Sequence, residues 1–450
     1  MTSQELKITF GLGIVFTIRI FGIFMILPII TIYGKQLPDA NNFLVGIAIG
    51  IYGITQVIFQ IPYGLMSDKF NRKTIIIIGL IIYLLGSTIA TVVHSIWGII
   101  IGRALQGTSA ISSTIMALLS DLTSEENMSK AVALIGISFG ITFIIAIVAG
   151  PIIGNIVGLH GMYGIISITT LLGIIVAYIT IPSHHTISVN YETNFVKQQI
   201  KKIINNYQLI KFNIGIFFLH TILMLNFIVI PFIMINANIA IYNHWKIYLI
   251  TLLISFIIVM PIIIYTEKYK IIKKILLIFT GIIAISEIFL FFSNHRISLL
   301  CVGIQLFFIA FNVMEVLLPS LSARTAPLGC KGTAMSIYSI SQFLGVSLGG
   351  GLGGICLDLY NNIELICFIS FLLSICWILI NYTISPITYC NNIRISISHN
   401  TNDFLDLQKK LINLNGVKDV LLDRKNYYAY LKIDKNITNI KIINNFIKHQ

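Results

Sequence analysis

Long apolar runs, each closed by a short polar or Gly/Pro-rich cluster, set the rhythm of this chain. They lie near 8–33, 42–66, 74–93, 96–122, 129–156 and 161–182, and then near 208–237, 244–266, 272–292, 297–323, 332–357 and 362–384. Each holds about 20 residues or more, which at 1.5 Å per residue lets a helix cross a hydrocarbon core about 30 Å thick. Period-two alternation is absent from these runs, so the pattern predicts twelve membrane-spanning helices and not a barrel.

A polar gap, 183–207, splits the spans six and six and reads as a linker. Its later part, with Phe195, Val196, Ile200, Ile203 and Ile204 beside lysines and amides, has the pattern of a surface helix. His184 and His185 lie there with no further ligands nearby and read as solvated loop residues, so no metal is expected. After Ser385 the chain turns polar. "IRISIS" (393–398) alternates like a strand, 403–414 has helical spacing, "VKDVLL" and "YYAYLKI" flank a turn at Asp423 to Asn426, and 438–448 is amphipathic. The order β-α-β-β-α predicts a small α+β ferredoxin-like module of about 60 residues. The expected organisation is an all-α membrane body of two six-helix bundles, 1–182 and 208–385, joined by the linker and followed by the module at 391–450.

Composition agrees: 56% of the residues are hydrophobic and 10% charged, against about 25% charged in soluble domains. The net charge of +13 is explained by position and not by nucleic acid. Connections after even-numbered spans carry fourteen Lys and Arg, whereas those after odd-numbered spans carry Lys35, Lys246 and Arg296. By the positive-inside rule both termini face the cytoplasm. The first apolar run is too long for a cleaved signal and reads as the first span. The six cysteines form no C-x-x-C pair and read as small core residues.

The charged connection "YGLMSDKFNRK" stands out between two apolar runs. Gly64 lets another helix approach closely, Asp68 suits a helix N-terminus, Arg72 with Lys73 suits carboxylates, and Asn71 tolerates a left-handed turn. "GRALQG" puts Arg103 in span 4, and "AGPIIG" puts Gly150, Pro151 and Gly154 in span 5, where glycines permit close packing and proline a kink. These stretches resemble the signature loop and, in part, the antiporter signature of the major facilitator superfamily. With "ALQGTSAISSTIMALLSDLTSEEN", "GISFGITF", "QLFFIAFNVMEVLLPSL" and "GTAMSIYSISQFLGVSLGG", the whole chain is similar to the YajR-type transporters of its drug:proton antiporter group. The resemblance implies that Asp68 meets Gly332 and Thr333 at the start of span 11 and that Arg72 meets Asp121, a conformational latch. It also implies a fold of paired bundles rocking in alternation. The second half echoes the first weakly: "YTEKYK" (265–270) stands where "LMSDKF" does, with Glu267 as its acid.

Ionisable groups at membrane depth are costly and face a cavity or a partner. Arg19 lies near mid-bilayer in span 1, Arg103 in span 4, His220 halfway along span 7, Glu287 near the outer end of span 9, and Glu315 toward the inside in span 10. Arg19, Arg103, Glu315, His220 and Asn312 are the candidates for proton coupling or a central cavity. Arg103 reads equally as a helix brace, and His220 reads chiefly as a hydrogen-bonded packing residue. Asn226, Gln56, Gln60, Gln106, Gln305 and Gln342 read as cavity lining or as interhelical glue.

The expected function is secondary active, proton-coupled export of a small amphipathic or drug-like molecule. Its setting is the lipid bilayer of a bacterial inner membrane, as a monomer without cofactors. A uniporter of a small metabolite is the nearest alternative. A membrane-anchored sensor signalling through the module, with a regulatory ligand or partner there, is the other. No phosphate loop, nucleophile triad or metal cluster is found in the sequence, which argues against direct use of ATP and against an enzyme. The module lacks the aromatic pattern of RNA binders, so no nucleic acid is expected.

Overall fold

The computed structural model describes residues 2–182, 201–293, 296–328, 330–360, 362–385, 390–396, 407, 411–412, 414, 416–423 and 428–434. Twelve long helices follow in order: α1 (Ser3–Tyr33), α2 (Asn42–Lys69), α3 (Arg72–Val92), α4 (Ile96–Thr108), α5 (Ser112–Leu122), α6 (Glu125–Thr180), α7 (Tyr207–Asn236), α8 (His244–Tyr269), α9 (Ile272–Phe291), α10 (Ile297–Thr325), α11 (Lys331–Tyr360) and α12 (Ile363–Tyr382). Ten apolar helices among the described residues are long enough to cross a membrane.

Helices and spans do not coincide everywhere. α6 is 56 residues long and holds two of the expected spans, divided at Gly158, whose φ of 68° breaks the helical run. A side chain there would be strained, which is why glycine occupies the division. The run 96–122 was expected as one helix and is two, α4 and α5, with Ser109, Ala110 and Ile111 between them. No proline marks this break. In the stretch "GTSAISST" Thr108 Oγ1 donates to the Leu105 carbonyl at 2.8 Å in the last turn of α4, and hydrophobic periodicity does not register the break.

Local chemistry fixes most starts. Thr2 and Glu5 form a capping box on α1, Asn41 caps α2, Asn71 caps α3 through its Oδ1 on the Lys73 amide at 3.0 Å, and Ser95 caps α4. Asn71 is extended, with φ −60°, so it serves as a cap and not in the left-handed turn expected of it.

The helices and the module fall into two compact units: residues 1–190, 214–316 and 339–382 in the first, and 191–213, 317–338 and 383–450 in the second. In the first unit α7 and α1 are the most enclosed, with 83% and 67% of their most apolar stretch buried, against 28% for α8 and α12. The opening helix of each set of six is therefore interior, and α8 and α12 present apolar side chains outward to lipid.

α1 packs on α6 through Gly150, where an added Cβ would lie 2.3 Å from the Met25 carbonyl oxygen. The two sets of six meet where α2 crosses α11. An added Cβ at Gly46 would fall 2.5 Å from Gly354 Cα, and one at Gly350 would fall 2.7 Å from the Gly50 nitrogen. The paired G-x-x-x-G spacing, 46/50 against 350/354, lets the backbones touch. Asn42 Nδ2 donates to the Leu357 carbonyl at 3.1 Å at the end of this crossing.

In the second unit, β1 (Cys390–Ser396), β2 (Val417–Asp423) and β3 (Tyr428–Asp434) form an antiparallel sheet in the order β1-β3-β2. β3 enters between β1 and β2, the split arrangement of a ferredoxin-like module. Leu407, Leu411, Val417, Val420, Ala429, Leu431 and Ile433 make its core. The expected helix 438–448 lies outside the described residues, as do Phe195, Val196, Ile200, His184 and His185.

Candidate functional site

The charged connection sits where α2 ends and α3 begins. Arg72, at the first position of α3, reaches across to α5: its Nη1 donates to the Ala117 carbonyl at 2.8 Å and pairs with Oδ2 of Asp121, and its Nε donates to the Ser67 carbonyl at 3.3 Å. Lys73 donates to the Tyr178 carbonyl at 2.7 Å and lies 5.0 Å from that ring's centre, tying α3 to the end of α6. These contacts brace the first six helices among themselves. The side chain of Asp68 lies outside the described residues. Gly64 was expected to let another helix approach, yet an added Cβ there meets open space, as it does at Gly332. The α2–α11 crossing ends near Gly53, three turns before Gly64, so helix proximity is spent at the opposite end of α2.

Deeper in the first half, Arg19 is buried among neutral partners. It donates through Nη1 to Ser112 Oγ at 2.6 Å, through Nη2 to Tyr52 Oη at 3.1 Å, and also through Nη2 to Gln56 Oε1. Gln56 passes the chain on to Gln60 at 3.1 Å. Arg103 donates to the Ala48 carbonyl at 3.3 Å and stacks 4.9 Å above the Tyr52 ring. Gln106 donates to Ser87 Oγ at 2.8 Å. Arg103 thus fastens α4 to α2, whereas Arg19 reaches the break between α4 and α5.

In the second half Glu315 and His220 come together through Gln342. The Gln342 amide nitrogen lies 2.8 Å from His220 Nε2 and 3.4 Å from Glu315 Oε1, and Glu315 Oε2 is 3.8 Å from His220 Nε2. His220 thus takes part in a hydrogen bond between α7 and α11. Asn312, one turn before Glu315, is half-buried on the same helix.

Glu287 is fully enclosed and accepts from Asn226 Nδ2 at 2.8 Å. Sequence reasoning left that pair unassembled, although both residues stand at matching depths in spans 7 and 9. Gln305 holds α10 to α8 through the Thr251 carbonyl and Ser255 Oγ at 3.2 and 3.0 Å, the glue reading.

An aromatic path joins the halves: Phe24 to Phe143 at 4.7 Å between centroids, Phe143 to Phe311 at 5.8 Å, and Phe311 to His220 at 5.9 Å. It runs from α1 through α6 to α10 and α7 and ends one turn from Glu315. Tyr52, which holds both arginines, touches Phe343 of α11 at 6.0 Å. Aromatic rings of the two halves thus touch at α6–α10 and at α2–α11, with Glu315, His220 and Gln342 beside the first of these contacts.

That architecture defines a membrane carrier, and the chain belongs to the Major Facilitator Superfamily, whose family model matches residues 12–350. Over 439 residues it is 44% identical to the inner membrane transport protein YajR of Escherichia coli (strain K12), covering 98% of this chain and 96% of that protein. It is 30% identical over 159 residues to the class B tetracycline resistance protein of Escherichia coli, covering 34% of this chain and 38% of that one. Among solved structures it is similar to a mutant of the nucleoside transporter NupG, with TM-score 0.68, 13% identity, and coverage of 84% of this chain and 99% of that chain. This chain is a membrane transporter of small molecules and not an enzyme.

Proposed function

We propose that the protein exports a small molecule against its gradient, driven by proton entry, as two six-helix bodies open alternately to either side of a bacterial inner membrane. The observation that carries the reading is the convergence of Glu315, His220 and Gln342 with the aromatic path at the meeting of the halves. A carboxyl in such a place can take up and release a proton as its surroundings alternate. The glycine crossing between α2 and α11 supports a gate where the halves meet.

With the Lys and Arg bias of the connections, the signature loop and both termini are cytoplasmic and the α2–α11 crossing is the outer gate. The export direction rests on the resemblance to drug:proton antiporters and on the tetracycline resistance relative.

Purified protein in sealed vesicles should accumulate or expel a fluorescent substrate in step with an imposed pH gradient. Flux that runs down its own gradient and ignores pH would make the protein a uniporter.

A further inference from the structure

Charge is unbalanced in the first half. Arg19 is 2% exposed and Arg103 is fully enclosed, yet among the described residues neither pairs with a carboxylate. Both meet the same ring, Arg19 at Tyr52 Oη and Arg103 on its face. Arg19 also donates at 2.6 Å to Ser112, the first residue of α5.

That helix starts in mid-membrane without a side-chain cap on Ile111. A helix N-terminus carries roughly half a positive charge, so a guanidinium is the wrong sign of partner for it. Neutral groups leave the place unfinished. Arg19 Nε, Arg103 Nη1 and the hydroxyls of Ser109, Ser113 and Thr114 are enclosed without a hydrogen-bond partner among the described residues.

A buried cation with an unpartnered Nε beside an uncapped helix start lacks one component: an anion. Broken membrane helices meet anionic ligands with such half-helix N-termini. Glu287 and Glu315 stand on α9 and α10 of the other half, and among the described residues no acid pairs with Arg19 or Arg103. Ser112, which accepts from Arg19, is itself half-buried.

We propose that the α4–α5 break, with Arg19 at its centre, seats the anionic group of the transported molecule, which makes the substrate class a small organic anion. The assignment rests on the transport reading above and narrows it. The anion would accept from Arg19 Nε and from the Ser112 hydroxyl while lying over the start of α5. Arg103, held on the far face of Tyr52, adds long-range attraction.

The test is thermal unfolding of the full-length protein in detergent with benzoate and with benzamide, its neutral analogue. Benzoate should raise the unfolding temperature by several degrees in a saturable way, and benzamide should not. Arg19→Gln should abolish the benzoate shift and Arg19→Lys should keep part of it. Equal shifts from both compounds, no benzoate shift in the wild type, or a full shift in Arg19→Gln would overturn the proposal.

Without ligand, Arg19→Gln should unfold only slightly earlier than the wild type, because the bonds it loses to Ser112, Tyr52 and Gln56 are offset by removal of a buried cation without a counter-charge. Markedly earlier unfolding would make Arg19 a scaffold residue and likewise defeat the assignment. Flux in vesicles is read separately: benzoate binding with no response to a pH gradient would leave the seat and remove the coupling. Gradient-driven flux of neutral substrates alone would do the reverse.

Discussion

Arg72 makes contacts of unequal worth. Its ion pair with Asp121 is partly exposed, with side-chain exposures of 13% and 36%, so that pair contributes only about 0.5–1 kcal/mol. Its bonds to two carbonyls at the ends of α2 and α5 are better shielded, and losing a charged donor there costs about 1.5–3 kcal/mol. Arg72→Ala should therefore lower thermal stability more than Asp121→Asn does. Equal losses in unfolding scans would mean that the ion pair carries the whole effect. Asp68→Asn should impair transport while insertion stays normal, and wild-type rates would remove Asp68 from the latch. For Glu315, replacement by Gln keeps the link to Gln342 but cannot release a proton. Downhill exchange should survive while accumulation ceases to follow the pH gradient; an unchanged gradient response would exclude Glu315 from the proton route. The identities of these residues were legible because charges are conspicuous in an apolar chain. Their partners were not, since pairing Glu315 with His220 and Glu287 with Asn226 depends on how helices rotate about their axes.

The α2–α11 crossing depends on the absence of side chains. Gly46, Gly50, Gly350 and Gly354 leave the backbones in contact, and a larger residue must push them apart. Gly46→Val or Gly350→Val should destabilise the state with this contact by about 1–3 kcal/mol, enough to shift its population by roughly tenfold or more. Transport should fall steeply in both variants at normal membrane levels. Labelling of a cysteine placed at Asn42 should become faster, and unchanged labelling would show that the contact opens by itself. The G-x-x-x-G spacings were visible in the sequence, but glycine is common throughout these runs, and only the facing pair gives two of them a role. The break between α4 and α5 shows a different limit. Hydrophobic periodicity carries through 96–122 without a fault, because nothing apolar changes at the break. Gly158 divides α6 for a reason a sequence does reveal, since a short Gly-rich stretch between two long runs leaves room for a turn.

For the molecule as a whole, the module is attached by directed bonds within the second unit. Lys432 of β3 donates to the Arg324 and Ala326 carbonyls at 2.6 and 2.9 Å, where α10 ends, and Asp419 of β2 accepts from the Leu328 amide at 2.7 Å. Ile203, Leu209, Ala326, Cys330 and Ala334 cluster in the same unit. Lysine at a helix C-terminus is the favourable sign for the helix dipole, which explains the choice of residue. Removing residues 391–450 should leave most flux intact and lower the unfolding temperature by a few degrees. Lys432→Met should reproduce part of that loss. Abolished flux in the truncated protein would favour the reading in which the module governs signalling or gating.

The sequence by itself determined the class of molecule: apolar run lengths demand helices in a bilayer, and an alternating polar tail demands a small sheet. It also determined where charges are scarce enough to matter. Tertiary structure alone decided which helix faces meet, that one span is broken at mid-depth, and that among the described residues two buried arginines pair with no acid. The physical reason is that span number follows from hydrophobic length, a local sum along the chain. Pairing follows from helix rotation and close approach, which are fixed only when all twelve helices compete for the same interior.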